Sequence, residues 1–150
     1  MNHVVIKQRQ TTRGRPKTIN YDVTLDIAMN AYWSEGIEQM SVNQVCRLAG
    51  VSKPSLYREF GNEDGLLSAV FHRYGKMIRR RLILLLEKQE DFESSMNELI
   101  FFMSYLRDPN TMPKGCLGVK SWNSLSSLGP KSRIELVANS NKLLKIFEDW

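Results

Sequence analysis

Ser41-Val42-Asn43-Gln44-Val45-Cys46-Arg47-Leu48-Ala49-Gly50-Val51-Ser52-Lys53-Pro54-Ser55-Leu56-Tyr57-Arg58-Glu59-Phe60 decides how this chain folds. It reads as two short helices joined by a tight turn. Ser41 and Gln44 have the spacing of a capping box, in which each side chain satisfies an orphan backbone N–H. Val42, Val45, Cys46 and Ala49 turn one face inward. Gly50 supplies the left-handed residue that ends the first helix. Ser52 caps the second, and Pro54 falls in its first turn, where no N–H is needed. Val51 and Leu56 plug the space between the two. Cys46 is small enough for a steep crossing.

Reading toward the N-terminus, Leu25, Ala28, Met29 and Tyr32 form one face of a helix over about 22–35, stopped by Gly36. Three short helices with a Gly turn before the third predict a helix-turn-helix. Ser52, Lys53, Ser55, Tyr57 and Arg58 are left on the outside of the third helix. Lys and Arg suit guanine edges or phosphate, Ser either, and a Tyr hydroxyl phosphate. Ser41, at the start of the second helix, joins them as a candidate DNA-binding residue. Tyr32 and Phe60 are expected in the core, and Cys46 is expected to be an inert small core residue.

The net charge of +5 is not evenly spread. Residues 1–20 hold Lys7, Arg9, Arg13, Arg15 and Lys17 and no acid, while acids and bases balance over the rest. This basic arm predicts a polyanionic partner, double-stranded DNA. Within it, Arg13-Gly14-Arg15-Pro16-Lys17 has the form of an AT-hook core. Gly and Pro keep the strand narrow, so Arg13, Arg15 and Lys17 can lie along an A·T minor groove.

Beyond the reader the 3.6-residue period continues and no strand pattern appears. Asn62 caps a long helix over about 63–88, roughly 39 Å by its rise per residue. A further helix covers about 92–106, with Met96, Leu99, Ile100, Met103 and Leu106 inward. Residues 112–128 read as a helix interrupted by Pro113 and Gly115. The last helix begins near Lys131. Tyr74, Met77, Ile78, Phe101, Phe102, Tyr105 and Trp122 form the richest apolar and aromatic set. It reads either as plain core or as an effector pocket, with Tyr74, Met77, Ile78, Phe102, Tyr105 and Trp122 as the effector-binding residues. His72 and Arg79-Arg80-Arg81 read as solvated, with Arg81 at a pocket edge. Cys116 reads as inert packing.

Ile134, Val137, Leu144 and Phe147 form an apolar stripe on the last helix, still periodic where the sequence ends at Trp150. A large aromatic there requires cover from a partner chain or from further chain. The stripe is expected to pair with its copy in a homodimer.

Composition excludes several classes. With 42% hydrophobic and 25% charged residues the chain is globular, not disordered. No apolar run approaches the ~18 residues of a membrane span, and Val4-Val5-Ile6 is too short for a signal peptide. The chain has 2 cysteines, Cys46 and Cys116, which make neither a disulfide framework nor a zinc site. A reduced, cytoplasmic setting is expected, with no metal and no cofactor. Paired carboxylates, a nucleophile–base pair and a phosphate loop are all missing, so an enzyme is not expected.

The stretch Asp22 to Phe71 resembles the DNA-binding domain of the tetracycline-repressor (TetR) family. Ser41-Val42, Val45, Ala49-Gly50-Val51-Ser52-Lys53-Pro54-Ser55-Leu56-Tyr57, Phe60 and Leu66-Leu67 carry the match. Gly115-Cys116-Leu117 is loosely similar to the family's regulatory domain. Met40, Glu59 and Glu63 depart from the family's usual Thr, His or Tyr, and Lys. Glu63 cannot give the phosphate contact that Lys makes there.

The resemblance implies an all-α protein: a flexible arm over 1–20, a helix-turn-helix domain over 21–66, and a helical effector-binding and dimerisation domain over 67–150, short of the family pattern at the C-terminus. It implies a transcriptional repressor that binds a palindromic operator as a homodimer and is released by a small-molecule effector. The alternative is an architectural or regulatory DNA binder without an effector.

Overall fold

The computed structural model describes residues 19–87, 91–104, 113 and 115–150. Every regular element among them is helical. The order is α1 (Tyr21–Glu35), α2 (Val42–Ala49), α3 (Lys53–Phe60), α4 (Glu63–Leu86), α5 (Phe92–Ser104), α6 (Leu117–Trp122), a 3-10 turn at Leu125–Ser127, and α7 (Pro130–Asp149). No described helix is long and apolar enough to cross a membrane.

The local signals in the sequence set the helix starts. Asn20 caps α1 by accepting the Val23 amide, Ser52 caps α3, and Asn62 caps α4. The Ser41–Gln44 capping box is formed in full. Gly50 closes α2 at φ 64°, ψ 30°, left-handed backbone that an L side chain rarely adopts.

The reader core runs without a break into the body. Tyr32, Val45, Leu56, Leu66, Val70 and Phe71 belong to the same buried cluster as Leu117, Leu128 and Leu136. Residue 66 is therefore no boundary in the packing. A second, smaller cluster of Leu82, Leu86 and Leu99 sits at the far end of α4.

α4 and α7 form the central pair. The inward face of α7 is Ser132, Leu136 and Asn139, followed by Leu143 and Ile146. Small and polar residues let the backbones approach. A Cβ on Gly75 of α4 would stand 2.1 Å from Asn139 Oδ1. Asn139 donates to the Phe71 carbonyl at 2.8 Å and accepts from Arg79 at 2.6 Å.

Several expectations change. Residues 112–128 are not one interrupted helix; α6 and a 3-10 turn follow Gly115, which bends at φ 77°. In α5, Leu99 is buried, but Ile100 is 54% and Phe101 58% exposed, because only one narrow stripe meets α4. The side chains of Phe102 and Met103, and all of Leu106, lie outside what is described. Arg79 is no solvated residue, since Asn139 draws it inward. His72 is not simply solvated either: its Nδ1 lies 3.1 Å from Glu135 Oε1. Trp150 stacks on Phe92 at 5.4 Å but stays 45% exposed, so its own chain covers it only in part.

Candidate nucleic-acid interface

The turn between α2 and α3 positions the candidate reading face. Leu56 is fully buried and Val51 packs against the same core, which anchors α3. Lys53 and Arg58 are exposed. Lys53 Nζ sits 5.3 Å from the centre of the Tyr57 ring, one turn on. A cation over a ring face is held there by the ring quadrupole. The Tyr57 ring itself leans on the core, as the sequence suggested.

The hydroxyls are less free than the sequence implied. Ser52 Oγ donates to Ser55 Oγ at 2.9 Å while accepting the Ser55 amide at 3.2 Å. Ser55's own proton remains available. Ser41 is different. Its hydroxyl donates to Gln44 Oε1 at 2.6 Å, and its amide donates to the same oxygen at 2.8 Å. Both Ser41 donors are thus committed to the capping box, and a phosphate oxygen, which only accepts, finds none there. Ser41 thus serves the helix cap.

Arg47 was missed by the sequence reading. It is exposed on the last turn of α2, with no ion pair among the described residues. The signal was present: an arginine beside Gly50, off the apolar face. Cys46 is buried, which pushes its thiol up, and the charge of Lys53 pulls the other way. Arg13, Arg15 and Lys17 of the arm lie outside the described residues.

Among the described residues, the side chains expected to bind an effector are engaged in packing and hydrogen bonds. Tyr74 packs edge-on against Trp33 at 4.9 Å. Its hydroxyl donates to Cys116 Sγ at 3.2 Å and accepts the Leu117 amide at 3.1 Å. Tyr74 therefore fastens α6 to α4. Ile78 is in the core and Met77 packs against it. Trp122 is 40% exposed and donates to Ser140 Oγ at 3.1 Å on α7. Tyr105 lies outside the described residues. Cys116 accepts a hydrogen bond, in keeping with packing. Among the described residues no cluster of His, Cys, Asp and Glu has metal-site form.

A capped α2, a left-handed glycine, and a cationic α3 wedged on one core define a helix-turn-helix protein. Residues 25–70 match the family described as bacterial regulatory proteins, tetR family. That segment, the helix-turn-helix with its flanking helices, belongs to the family. The chain is 30% identical over 116 residues to the HTH-type transcriptional repressor ComR of Escherichia coli (strain K12), over 77% of this chain and 55% of ComR. It is 31% identical over 71 residues to the HTH-type transcriptional repressor BdcR of the same organism, over 47% of this chain and 36% of BdcR. The chain thus spans about half of one relative's length and about a third of the other's. A TetR-family transcriptional regulator from Agrobacterium tumefaciens superposes with TM-score 0.72 at 16% identity, over 81% of this chain and 64% of that one. Reduced E. coli NemR superposes with TM-score 0.66 at 19% identity, over 80% and 63%. These two likenesses are of fold.

Proposed function

We propose that this chain is a DNA-binding transcriptional repressor, acting as a homodimer on a palindromic site and released by a small-molecule effector. The observation that carries the DNA reading is α3 itself. It is a short helix capped by Ser52 and wedged by Leu56, and it presents Lys53, Ser55, Tyr57 and Arg58 on one rigid element. The named repressors among its relatives support the same reading. One such helix makes too few base contacts for a specific site, so two copies are required. The α7 stripe Ile134, Val137, Leu144 and Phe147 is exposed and available to join them. The arm residues Arg13, Arg15 and Lys17 take the adjacent minor groove.

Selection from a random duplex pool tests this reading. The expected result is an enriched inverted repeat whose binding falls steeply with salt, as lysines and arginines displace counterions. No enrichment, or salt-insensitive binding, would overturn it.

A second reading, DNA binding without an effector, is favoured by the packing of Tyr74, Met77 and Ile78 into the core.

A further inference from the structure

The reader is joined to the rest of the chain in two ways. The backbone passes from α3 into α4 through Gly61 and Asn62. Beside that link, three hydrogen bonds reach the reader from the stretch that starts at Gly115. The Trp33 indole N–H donates to the Gly115 carbonyl at 2.8 Å. The Lys120 ammonium donates to the Trp33 carbonyl at 2.8 Å. The Ser127 hydroxyl donates to Glu38 Oε1, in the turn before α2, at 3.1 Å. Each joins residues more than eighty apart in sequence. Leu117 and Leu128 are buried in the same cluster as Tyr32 and Trp33. Burial of that kind is non-directional, whereas the hydrogen bonds fix an angle.

Lys120 answers a need of α1. Trp33 lies in the last turn, where a helix leaves its own carbonyls without a donor. That end carries partial negative charge and favours a cation. α1 has no basic residue in its last turn, and half-buried Lys120 of α6 supplies one. The same stretch is anchored on α4, where the Tyr74 hydroxyl accepts the Leu117 amide. The start of α1 is held on α4 by Arg73, through Asp22 and Asp26. Both ends of α1 are thus gripped, and Lys120 grips the end that leads into α2.

We propose that residues 115–127 form a strap that fixes the angle of the reader on α4, with Lys120 as its positioning residue, and that this angle selects the half-site spacing two paired readers accept. The spacing part rests on the homodimer reading above; the angle does not. The separation of two α3 helices must match the repeat of the duplex. A tilt of the reader moves α3 as a body, so the strap acts on spacing. Base preference within each half-site stays with the side chains of α3.

The test uses the full chain, with Lys120→Met and Ser127→Ala singly and together, and Lys120→Arg as the variant that keeps a cation. Residual dipolar couplings of the backbone amides report the angle. Wild-type α1–α3 and α4–α7 are expected to fit one alignment tensor, and the double variant to need two. Exchange of the Trp33 indole N–H should quicken by about tenfold in Lys120→Met, the factor set by one charge-assisted hydrogen bond. Binding is then measured to the selected inverted repeat with its half-sites moved by one base pair either way. Wild type should prefer the selected spacing by about tenfold or more, and the double variant by about threefold or less. Lys120→Arg should keep the wild-type tensor and spacing. A wild type that already needs two tensors, or a double variant with an unchanged tensor or unchanged spacing preference, overturns the proposal. So does a double variant that is merely less stable. If the random pool yields no site, the DNA reading falls, and the tensors alone decide whether the strap holds the reader.

Discussion

The Asp64 carboxylate accepts the Ser132 hydroxyl at 2.6 Å and the Ser132 amide at 2.9 Å, and so caps α7 from the first turn of α4. It also accepts the Lys131 amide at 3.0 Å. The residue at α7's own cap position is Gly129, which has no side chain to offer. A Cβ on Gly129 would stand 2.3 Å from Asp64 Cγ, so the missing side chain is what admits the distant cap. The end of α4 nearest the reader is thereby fixed to the start of α7.

Asp64→Ala should therefore destabilise the fold by about 0.5–2 kcal/mol, the usual cost of losing an N-cap. Asp64→Asn keeps an acceptor and should cost less. Burial raises the Asp64 carboxyl, but the hydrogen bonds from Ser132 and Lys131 outweigh it and hold it below its ordinary 3.8. A lowered folded value means the stabilisation is present above the ordinary value and is lost as pH falls through the lowered one. Urea unfolding of wild type and Asp64→Asn should show a constant gap near neutral pH that narrows below pH 3.8. A gap independent of pH would show that the charge contributes nothing.

Gly75→Ala should be more damaging than glycine-to-alanine inside a helix ordinarily is. Propensity alone favours Ala by about 1 kcal/mol. Here the new methyl meets Asn139 Oδ1 at 2.1 Å, and moving Asn139 breaks its bonds to the Phe71 carbonyl and Arg79. Each buried polar group left unpaired costs about 1–3 kcal/mol. A net loss of about 2–4 kcal/mol in thermal or urea unfolding is expected. A stabilised Gly75→Ala protein would show that α4 and α7 are not this close in solution.

These two contacts mark the limit of what the sequence revealed. Caps at Ser41, Ser52 and Asn62 were legible because a cap joins residues three apart. Gly50 was legible because a left-handed turn leaves few choices of residue. Asp64 to Ser132 and Arg79 to Asn139 join residues more than fifty apart, and no local period marks them. On α7 apolar periodicity marked the outer stripe but not the inward face, for a physical reason. Its inward face is built of Ser132, Leu136 and Asn139 so that the backbones approach, which leaves the greasier stripe outside. On α3 the sequence named the outward residues but not their coupling, since a cation over a ring depends on rotamers.

That coupling predicts a graded series. Lys53→Ala and Arg58→Ala should relax base preference by about 1–3 kcal/mol at the positions each reads. Tyr57→Phe keeps the ring under Lys53 and removes only the hydroxyl. It should weaken binding about equally on all sequences. Tyr57→Leu removes the ring as well, and should reproduce part of the Lys53→Ala loss of preference. Selection from the same DNA pool with each variant decides it. An unchanged motif from Tyr57→Leu would show that the ring does not position Lys53.

Removing residues 1–17 should weaken DNA binding and flatten its salt dependence while leaving the motif unchanged. The net charge of +5 is accounted for by Lys7, Arg9, Arg13, Arg15 and Lys17. Each phosphate neutralised by such a residue adds about 0.9 to the slope of log affinity against log salt. Binding isotherms across a salt series measure it. An unchanged slope would make the arm a solvated tail.

The last prediction concerns the outer face of α7. Ile134 is 70% exposed and Leu144 60%, with Val137 and Phe147 on the same stripe. Trp150 is partly covered by Phe92, so it is a weaker contributor than its position in the sequence suggested. Full burial of one such apolar side chain is worth about 1.5–3 kcal/mol, and four on each of two copies give a strong drive to pair. Association opposes this with about 4–15 kcal/mol of lost freedom, so a face of this size should dimerise reversibly rather than permanently. A two-fold axis lets the same stripe serve both copies. The 150-residue chain is therefore expected to pass from dimer to monomer on dilution. Phe147→Asp should give monomers at all concentrations. Their helical content should remain, because Phe147 belongs to neither buried cluster. Their DNA affinity should fall, since each monomer brings one α3 instead of two. Analytical ultracentrifugation over a dilution series, with circular dichroism on the same samples, separates these outcomes. A wild-type monomer at high concentration, or a Phe147→Asp protein that remains dimeric, would place the interface on another face.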